Sequence, residues 1–425
     1  MDGLIVGKRD LESLRYTAET AYKTTEFWKE KFSNVDVEEL TPEMLLSKID
    51  SIFITPHDLY DIEKVWPTYI KNMEVFHVLS RTSGTTGKPK RIPYTIDDIK
   101  RGSRQLEAWA SELMENAVVA SFFPQLPSSS GFFVLGAFRY LGTKLRYVQI
   151  PIQYIQAEDL LIHELREIKP TSLFALTTSA YKLGFVLPDD IKADIQSLVI
   201  GGEPLTKELA KGILENFPNA VIVDLLGMSE DGLVGYRIVT KDRIDVPFKF
   251  PESLLVLKKT EDEYEEYYHV YVTKIMKETE LTGLPIFNYK NWDLARVVNG
   301  KVMNILRSND VISLGGAKLH IDQVMDIVHR YPFLVDFVII YHPLSPGNPK
   351  PKAIIKVGYV GEKPSGIEDE IKSLIYEANN PVRYEVEEAK SSELVVEAVP
   401  AEKVREGLSQ KPGKTKRIFI VGKDL

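Results

Sequence analysis

The sequence predicts an α/β protein with a large N-terminal domain of mixed and parallel sheets layered with helices, followed by a small α+β C-terminal domain. Three observations carry that reading. Short apolar runs alternate with helical patterns from about residue 115 to 240, as in a sheet whose crossovers are helices. The alternation is renewed on a smaller scale after about residue 310. A chain of 425 residues, 44% hydrophobic, suffices for two or three domains at roughly 150 residues each.

Taken in order, residues 11–32 place Leu11, Leu14, Ala18, Ala21, Trp28 and Phe32 on one face, which predicts an amphipathic helix. Ser172–Leu176, Ser197–Ile200 and Val221–Leu226 read as buried strands, and Thr206–Phe217 as the helix between the last two. In the C-terminal part, residues 321–330 and 367–378 read as helical, and 335–341, 352–360 and Glu393–Val399 as strands before a basic tail. The acidic run Glu261-Asp262-Glu263-Tyr264-Glu265-Glu266 reads as a solvated turn.

Composition narrows the function classes. A net charge of −8 argues against a nucleic-acid partner held by phosphate neutralisation. Without cysteine there is no disulfide, thiolate metal site or cysteine nucleophile, and the seven histidines form no zinc-binding pair motif. Neither an 18-residue apolar run nor a lipidation motif occurs, so no membrane partner and a cytoplasmic location are the expectation.

The most informative segment is Ser80-Arg81-Thr82-Ser83-Gly84-Thr85-Thr86-Gly87-Lys88-Pro89-Lys90. Gly84 and Gly87 let the backbone turn its N–H groups toward an anion, the hydroxyls of Thr82, Ser83, Thr85 and Thr86 add donors, and Lys88 and Lys90 add charge. That chemistry suits a polyphosphate. It is not a Walker A loop, since Thr82 and Pro89 stand where that pattern needs glycine and a hydroxyl. A flexible hydroxylated surface loop has the same composition, and the residues alone leave both readings open.

Other motifs admit two readings as well. Gly201-Gly202-Glu203-Pro204 is a glycine turn at a strand end, or a tight helix start. In Leu226-Gly227-Met228-Ser229-Glu230 a carboxylate follows a strand beside a hydroxyl, suited to Mg²⁺ or to a helix cap. Phe122-Phe123-Pro124 and Gly131-Phe132-Phe133 are aromatic clusters, hydrophobic core or an apolar pocket wall. Lys411-Pro412-Gly413-Lys414-Thr415-Lys416-Arg417-Ile418 alone reads as a solvated basic tail.

The Thr82–Lys90 segment resembles the phosphate-binding signature of the adenylate-forming enzymes: acyl-CoA synthetases, aryl-CoA ligases, luciferases and carrier-loading adenylation domains. The likeness is strongest to phenylacetate-CoA ligase and its relatives, including the synthetases that adenylylate the deazaflavin coenzyme F420. It extends from Glu26–Phe32 and Ile54–Leu59 through nearly the whole chain, with the motifs in the family's order.

The resemblance implies ATP-dependent activation of an aryl or otherwise apolar carboxylic acid to an acyl-adenylate, then transfer to coenzyme A. ATP, Mg²⁺ and coenzyme A are the implied cofactors and co-substrates. Residues 1–308 would form the large domain and 309–425 a mobile lid, and a homodimer is possible. Thr82, Ser83, Gly84, Thr85, Thr86, Gly87 and Lys88 would hold the phosphates, with Thr86 counted among the catalytic groups. Gly202, Glu203 and Pro204 would flank adenine, as would Leu226, Gly227 and Met228, with Leu226 where an adenine-stacking tyrosine is usual. Ser229 would face the phosphates and Glu230 would bind Mg²⁺. Asp293 would hold the ribose, although Asn288 and Trp292 replace the family's arginine and glycine. Arg307 would contact ribose or phosphate, Asn309 would be the hinge, and Lys318 stands where arginine is common. Lys414 would be the catalytic lysine. Two alternatives stay open: an acceptor other than coenzyme A, and a weakly catalytic protein that binds the nucleotide or the acid.

Overall fold

In the computed structural model residues 3–421 are described, apart from 83–88, 124–128, 261–266, 308–309, 346–347, 349 and 409–415 and the side chains of 129 and 156. The chain divides into two compact units: Met1–Gly202 with Phe217–Ile305, and Glu203–Asn216 with Leu306–Leu425. The short segment Glu203–Asn216 therefore clusters with the C-terminal residues.

The first unit is built on a six-stranded sheet. Its strand order is Arg146–Gln149, Val118–Ser121, Ser172–Leu176, Ser197–Gly201, Val221–Met228, Gly232–Val239. The first five are parallel and the last is antiparallel to its neighbour. Ser172–Leu176 and Ser197–Gly201 are buried along their whole length, which is why they read as uninterrupted apolar runs. Strand order reverses at Val118–Ser121, because the next two strands in sequence, Arg146–Gln149 and Ser172–Leu176, lie on opposite sides of it, so the carboxyl ends of these strands frame the crevice where such sheets bind ligand.

A second, antiparallel sheet has the order Gly3–Gly7, Ser253–Lys259, Tyr267–Lys274, Tyr289–Val298, Lys301–Arg307. A hairpin, His77–Arg81 with Arg91–Thr95, flanks the glycine-threonine segment and leads into the long helix Ile96–Leu113. Thr95 and Asp98 form a reciprocal capping box at that helix's start. Buried Asp98 also accepts from Lys274 at 3.2 Å, Thr282 at 2.7 Å and the Gly283 amide at 2.8 Å, tying the helix to the second sheet.

The single helix expected over residues 11–32 is two helices, Leu11–Thr24 and Glu26–Lys31. Thr25 causes the break. It sits at φ −131°, ψ 136°, its hydroxyl donates to the Ala21 carbonyl at 2.9 Å and accepts from the Trp28 amide at 3.2 Å. One β-branched residue thus closes the first helix and caps the second. Apolar spacing survives this kink because Leu14, Ala18, Ala21, Trp28 and Phe32 remain buried.

In the second unit a four-stranded sheet has the order Glu393–Pro400, Lys352–Tyr359, Leu334–His342, Ile418–Ile420. Helices Ile321–Val328 and Ile367–Ala378 and the hairpin Val311–Leu314 with Ala317–His320 accompany it, matching the α+β expectation within a residue or two. The helix Lys207–Asn216 belongs to this unit, its Glu208 amide donating to Asp326 at 3.1 Å. The end of the basic tail is no solvated segment: Ile418–Ile420 pairs in parallel with Ile339–Tyr341. Among the described residues no helix is long and apolar enough to cross a membrane.

Candidate functional site

Glu230 is the centre of the site in the first unit. It lies in a three-residue turn between the antiparallel strands Val221–Met228 and Gly232–Val239, so it starts no helix and the helix-cap alternative falls. The carboxylate is only 5% exposed. Lys90 donates to its Oε1, and so does the Tyr289 hydroxyl at 2.7 Å, while Lys90 Nζ also reaches Tyr289 at 3.3 Å. Burial pushes the Glu230 carboxyl up, but the Lys90 charge and these hydrogen bonds outweigh it and hold the group below its usual range. A desolvated yet ionised carboxylate is the result.

Neighbouring residues fix this turn from below. Asp231 is buried against the Arg101 guanidinium and accepts from the Ser253 hydroxyl at 3.2 Å. Arg101 also donates to the Asp231 carbonyl at 3.0 Å, and Tyr94 of the hairpin donates to the Ser229 carbonyl. Four separate segments therefore hold Glu230 in place.

The base of the glycine-threonine segment is closed by the same hairpin. The Thr82 amide donates to the Lys90 carbonyl at 3.1 Å and the Lys90 amide to the Thr82 hydroxyl at 3.0 Å. Ser83, Gly84, Thr85, Thr86, Gly87 and Lys88 lie outside the described residues. Lys90, read from sequence as another phosphate-facing charge, instead spends its ammonium on Glu230. The pairing spans 140 residues of sequence, so no local pattern announces it.

Asp293 sits on a bulge in the strand Tyr289–Val298. The partner strand pairs Tyr271 with Lys290 and His269 with Leu294, so Asn291, Trp292 and Asp293 together face the single residue Val270. Such bulges re-aim side chains and favour functional sites. Asn291 and Asp293 clip the bulge: Asn291 Nδ2 donates to Asp293 Oδ2 at 2.6 Å, and the Asp293 amide donates to Asn291 Oδ1 at 3.1 Å. Trp292 keeps the left-handed backbone, φ +68°, that a glycine takes freely. Asn288 has a structural job: fully buried at φ +45°, it donates to the Leu45 and Ile52 carbonyls at 2.9 Å each. The asparagine thus braces the N-terminal segment from the position where the resembling motif has an arginine.

Leu226 and Met228 are half-buried and Gly227 exposed at the strand end that leads to Glu230. Gly201 and Gly202 are needed for different reasons. A Cβ at Gly201 would meet the Leu225 carbonyl at 2.5 Å, and Gly202 holds φ +82°. Glu203 and Pro204 fall in the second unit, as do Arg307 and Lys318. The Arg307 amide donates to Asp310 at 3.3 Å, and Lys318 is exposed on Ala317–His320 with its carbonyl accepting from Asn379 at 2.8 Å. Asn309 and Lys414 lie outside the described residues. The chain just after Lys414 is anchored within the second unit. Arg417 is buried, donating to Asp336 at 3.2 Å and to the Phe337 carbonyl at 3.1 Å. Arg405 grips the same Asp336 at 2.8 and 3.0 Å and the Lys416 carbonyl at 2.7 Å.

The aromatic clusters resolve toward core. Phe122, Phe123 and Phe133 are buried, and Phe123 packs on Phe174, which also meets Phe138 and Tyr147. Among the described residues no group of three or more His, Asp or Glu side chains could hold a metal ion by itself. A divalent cation at Glu230 would have one protein carboxylate and would need oxygens from a bound phosphate, which is the usual way Mg²⁺ is held. The hard, ionised oxygen of Glu230 fits that donor set.

The chain is similar in sequence and in fold to known proteins. Residues 57–254 match the family described as AMP-binding enzyme. The chain is 23% identical over 347 residues to the phenylacetate-coenzyme A ligase of Escherichia coli (strain K12), covering 76% of each chain. To the Pseudomonas putida phenylacetate-coenzyme A ligase it is 24% identical over 362 residues, covering 79% of this chain and 78% of that one. Among solved structures, a 2-hydroxyisobutyryl-CoA ligase in the postadenylation state with 2-HIB-AMP is similar in fold. Its TM-score is 0.66 at 14% identity, covering 97% of this chain and 89% of that one.

Proposed function

Because the chain belongs to the adenylate-forming superfamily, on its phenylacetate-CoA ligase-like branch, we propose that it activates a carboxylic acid with ATP and passes the acyl group to coenzyme A. The acid is aryl or otherwise apolar. The observation that carries this reading is Glu230, a carboxylate kept ionised in a buried turn at the strand end, beside the hairpin that closes the glycine-threonine segment.

A carboxylate is a poor electrophile, so its carbon must first acquire a good leaving group. In the first step an oxygen of the acid attacks the α-phosphorus of ATP, and pyrophosphate leaves with the electrons of the broken P–O bond. In the second, the thiol of coenzyme A attacks the acyl carbon and AMP leaves. The protein's work is positioning and charge cancellation. Thr82 to Lys88 hold the departing pyrophosphate, Ser229 faces the phosphates, and Asp293 binds the ribose hydroxyls through its two oxygens. Gly202 to Pro204 and Leu226 to Met228 flank the adenine, and Arg307 meets ribose or phosphate. Mg²⁺ at Glu230, when bound, supplies positive charge on the phosphates. Lys414, on a long flexible stem, offsets charge growing at the α-phosphorus. Residues 309–425 act as its carrier, with Asn309 as pivot and Lys318 on the adjoining hairpin.

The test is acid-dependent exchange of pyrophosphate into ATP over a panel of aryl and short branched acids. Exchange with at least one acid, and AMP release that requires coenzyme A, is the expected outcome. No exchange from folded protein overturns the catalytic reading, and AMP release without coenzyme A dependence assigns another acceptor.

A further inference from the structure

We propose that Tyr289 is a positioning residue: it fixes the orientation of the Glu230 carboxylate and so offers the oxygen Oε2 to the cation of a bound nucleotide. The inference rests on the reading of Glu230 as the group that meets this cation, and it names what aims that group.

Two side chains hold the carboxylate, and both end on the same oxygen. Lys90 donates to Oε1, and the Tyr289 hydroxyl donates to it at 2.7 Å. Among the described residues no other side chain donates to Glu230, so Oε2 keeps its lone pairs for a ligand. Lys90 Nζ also lies 3.3 Å from the Tyr289 hydroxyl. An ammonium only donates and an ionised carboxylate only accepts, so between them the phenol proton points to Glu230.

The two partners do different work. An ammonium on a four-carbon stem is a mobile point charge that follows a turning carboxylate. It keeps the group ionised but sets no angle. A hydroxyl on a clamped ring does set one. Tyr289 is fully buried, its backbone pairs with Val272, and the next amide, that of Lys290, donates to the Ile54 carbonyl at 2.9 Å. The residue before it is Asn288, which donates to the Leu45 and Ile52 carbonyls. The asparagine therefore anchors the strand start from which Tyr289 reaches a carboxylate 59 residues away in sequence. Packing needs only the aromatic ring; the hydroxyl is the part that touches the site. Groups that orient a metal-binding side chain in this way typically govern metal affinity by about 10- to 100-fold.

Calorimetric titration of the full chain with α,β-methylene-ATP, which cannot be cleaved to AMP, tests this when run once with Mg²⁺ and once with EDTA. The wild type is expected to bind more tightly with Mg²⁺. Tyr289→Phe keeps the buried ring and is expected to lose about tenfold in the Mg²⁺ titration while matching the wild type in EDTA. Cooperative melting of each variant checks that it folds. In a Glu230→Gln background the same substitution is expected to change neither affinity, because the carboxylate it aims is gone. Unchanged Mg²⁺-dependent affinity in Tyr289→Phe overturns the proposal and spares the nucleotide reading. An equal loss with and without Mg²⁺, or a loss that persists beside Glu230→Gln, does the same. Wild-type binding that is equal in Mg²⁺ and EDTA, or absent, overturns the cation role of Glu230 and the proposal with it.

Discussion

Replacing Lys90 by methionine isolates what keeps Glu230 ionised. The variant retains most of the side chain's volume and the Tyr289 hydrogen bond of 2.7 Å, but leaves a carboxylate at 5% exposure without its cation. Breaking a buried pair from one side costs about 3–5 kcal/mol, or roughly 10 °C in melting temperature for a unit of this size. The pH dependence gives the sign. In the wild type the folded carboxyl titrates below its ordinary 4.5, so its contribution is present above that value and is lost as pH falls through the lower folded one. In Lys90→Met burial is left to dominate, and the folded carboxyl titrates above 4.5. Stability then declines as pH rises, because the folded protein must give up a proton it holds more tightly than the unfolded chain does. Melting scans of both proteins should therefore show a gap that widens as pH rises above 4.5. Adding Glu230→Gln should recover much of the loss, since a neutral amide needs no counter-charge. A gap that stays constant with pH, or no destabilisation at all, would refute the assignment of Lys90 as the partner that keeps this carboxylate charged.

Two further outcomes follow from the second unit. Lys414→Ala should lower pyrophosphate exchange about 100-fold or more, while thioester formation from supplied acyl-adenylate and coenzyme A stays near wild type; equal loss in both half-reactions would contradict a role confined to the first. His329 is buried beside Arg417, and burial followed by that cation pushes its imidazole down to about 3. Between pH 6.5 and that value the unfolded chain takes up a proton that the folded one refuses, so stability falls as pH falls. In acid melts the wild type's lead over His329→Leu should shrink by about 1.4 kcal/mol per pH unit below 6.5, and a parallel pair of curves would refute it.

The parts of the fold legible in the sequence were those whose signal is local and repeated. Ser172–Leu176 and Ser197–Gly201 are buried on both faces, so every position is apolar or small and the strands declare themselves. The second unit's helices keep their apolar period to the ends. Thr25 was missed as a break because the buried face continues through it and only a hydroxyl changes the path. Ile418–Ile420 is too short to show a period, and its basic flank resembles solvated chain although Arg417 is 6% exposed against Asp336.

Within the candidate site, the sequence singles out Glu230 and Asp293 because each is a carboxylate at a fixed offset within a motif. The contacts that fix Glu230 are not legible in this way. Lys90 stands in the glycine-threonine segment, but its pairing with Glu230, like the contacts of Tyr289 and Tyr94 with the turn, joins segments far apart in sequence, which no local pattern announces. The Asn291–Asp293 spacing was a usable sign, since an asparagine two residues before an aspartate can close a side-chain clip. Trp292 and Asn288 were noticed only as departures from a family pattern. The structure gives Asn288 a bracing role and leaves Trp292 strained and exposed.

The central claim is that the acid's own oxygen becomes bonded to the α-phosphorus of ATP before the thiol attacks. Turnover with an acid labelled with ¹⁸O in both carboxyl oxygens, followed by mass spectrometry of the products, tests it most directly. One labelled oxygen should appear in AMP, with unlabelled pyrophosphate beside it. Label in inorganic phosphate alongside ADP, or unlabelled AMP, would contradict the account.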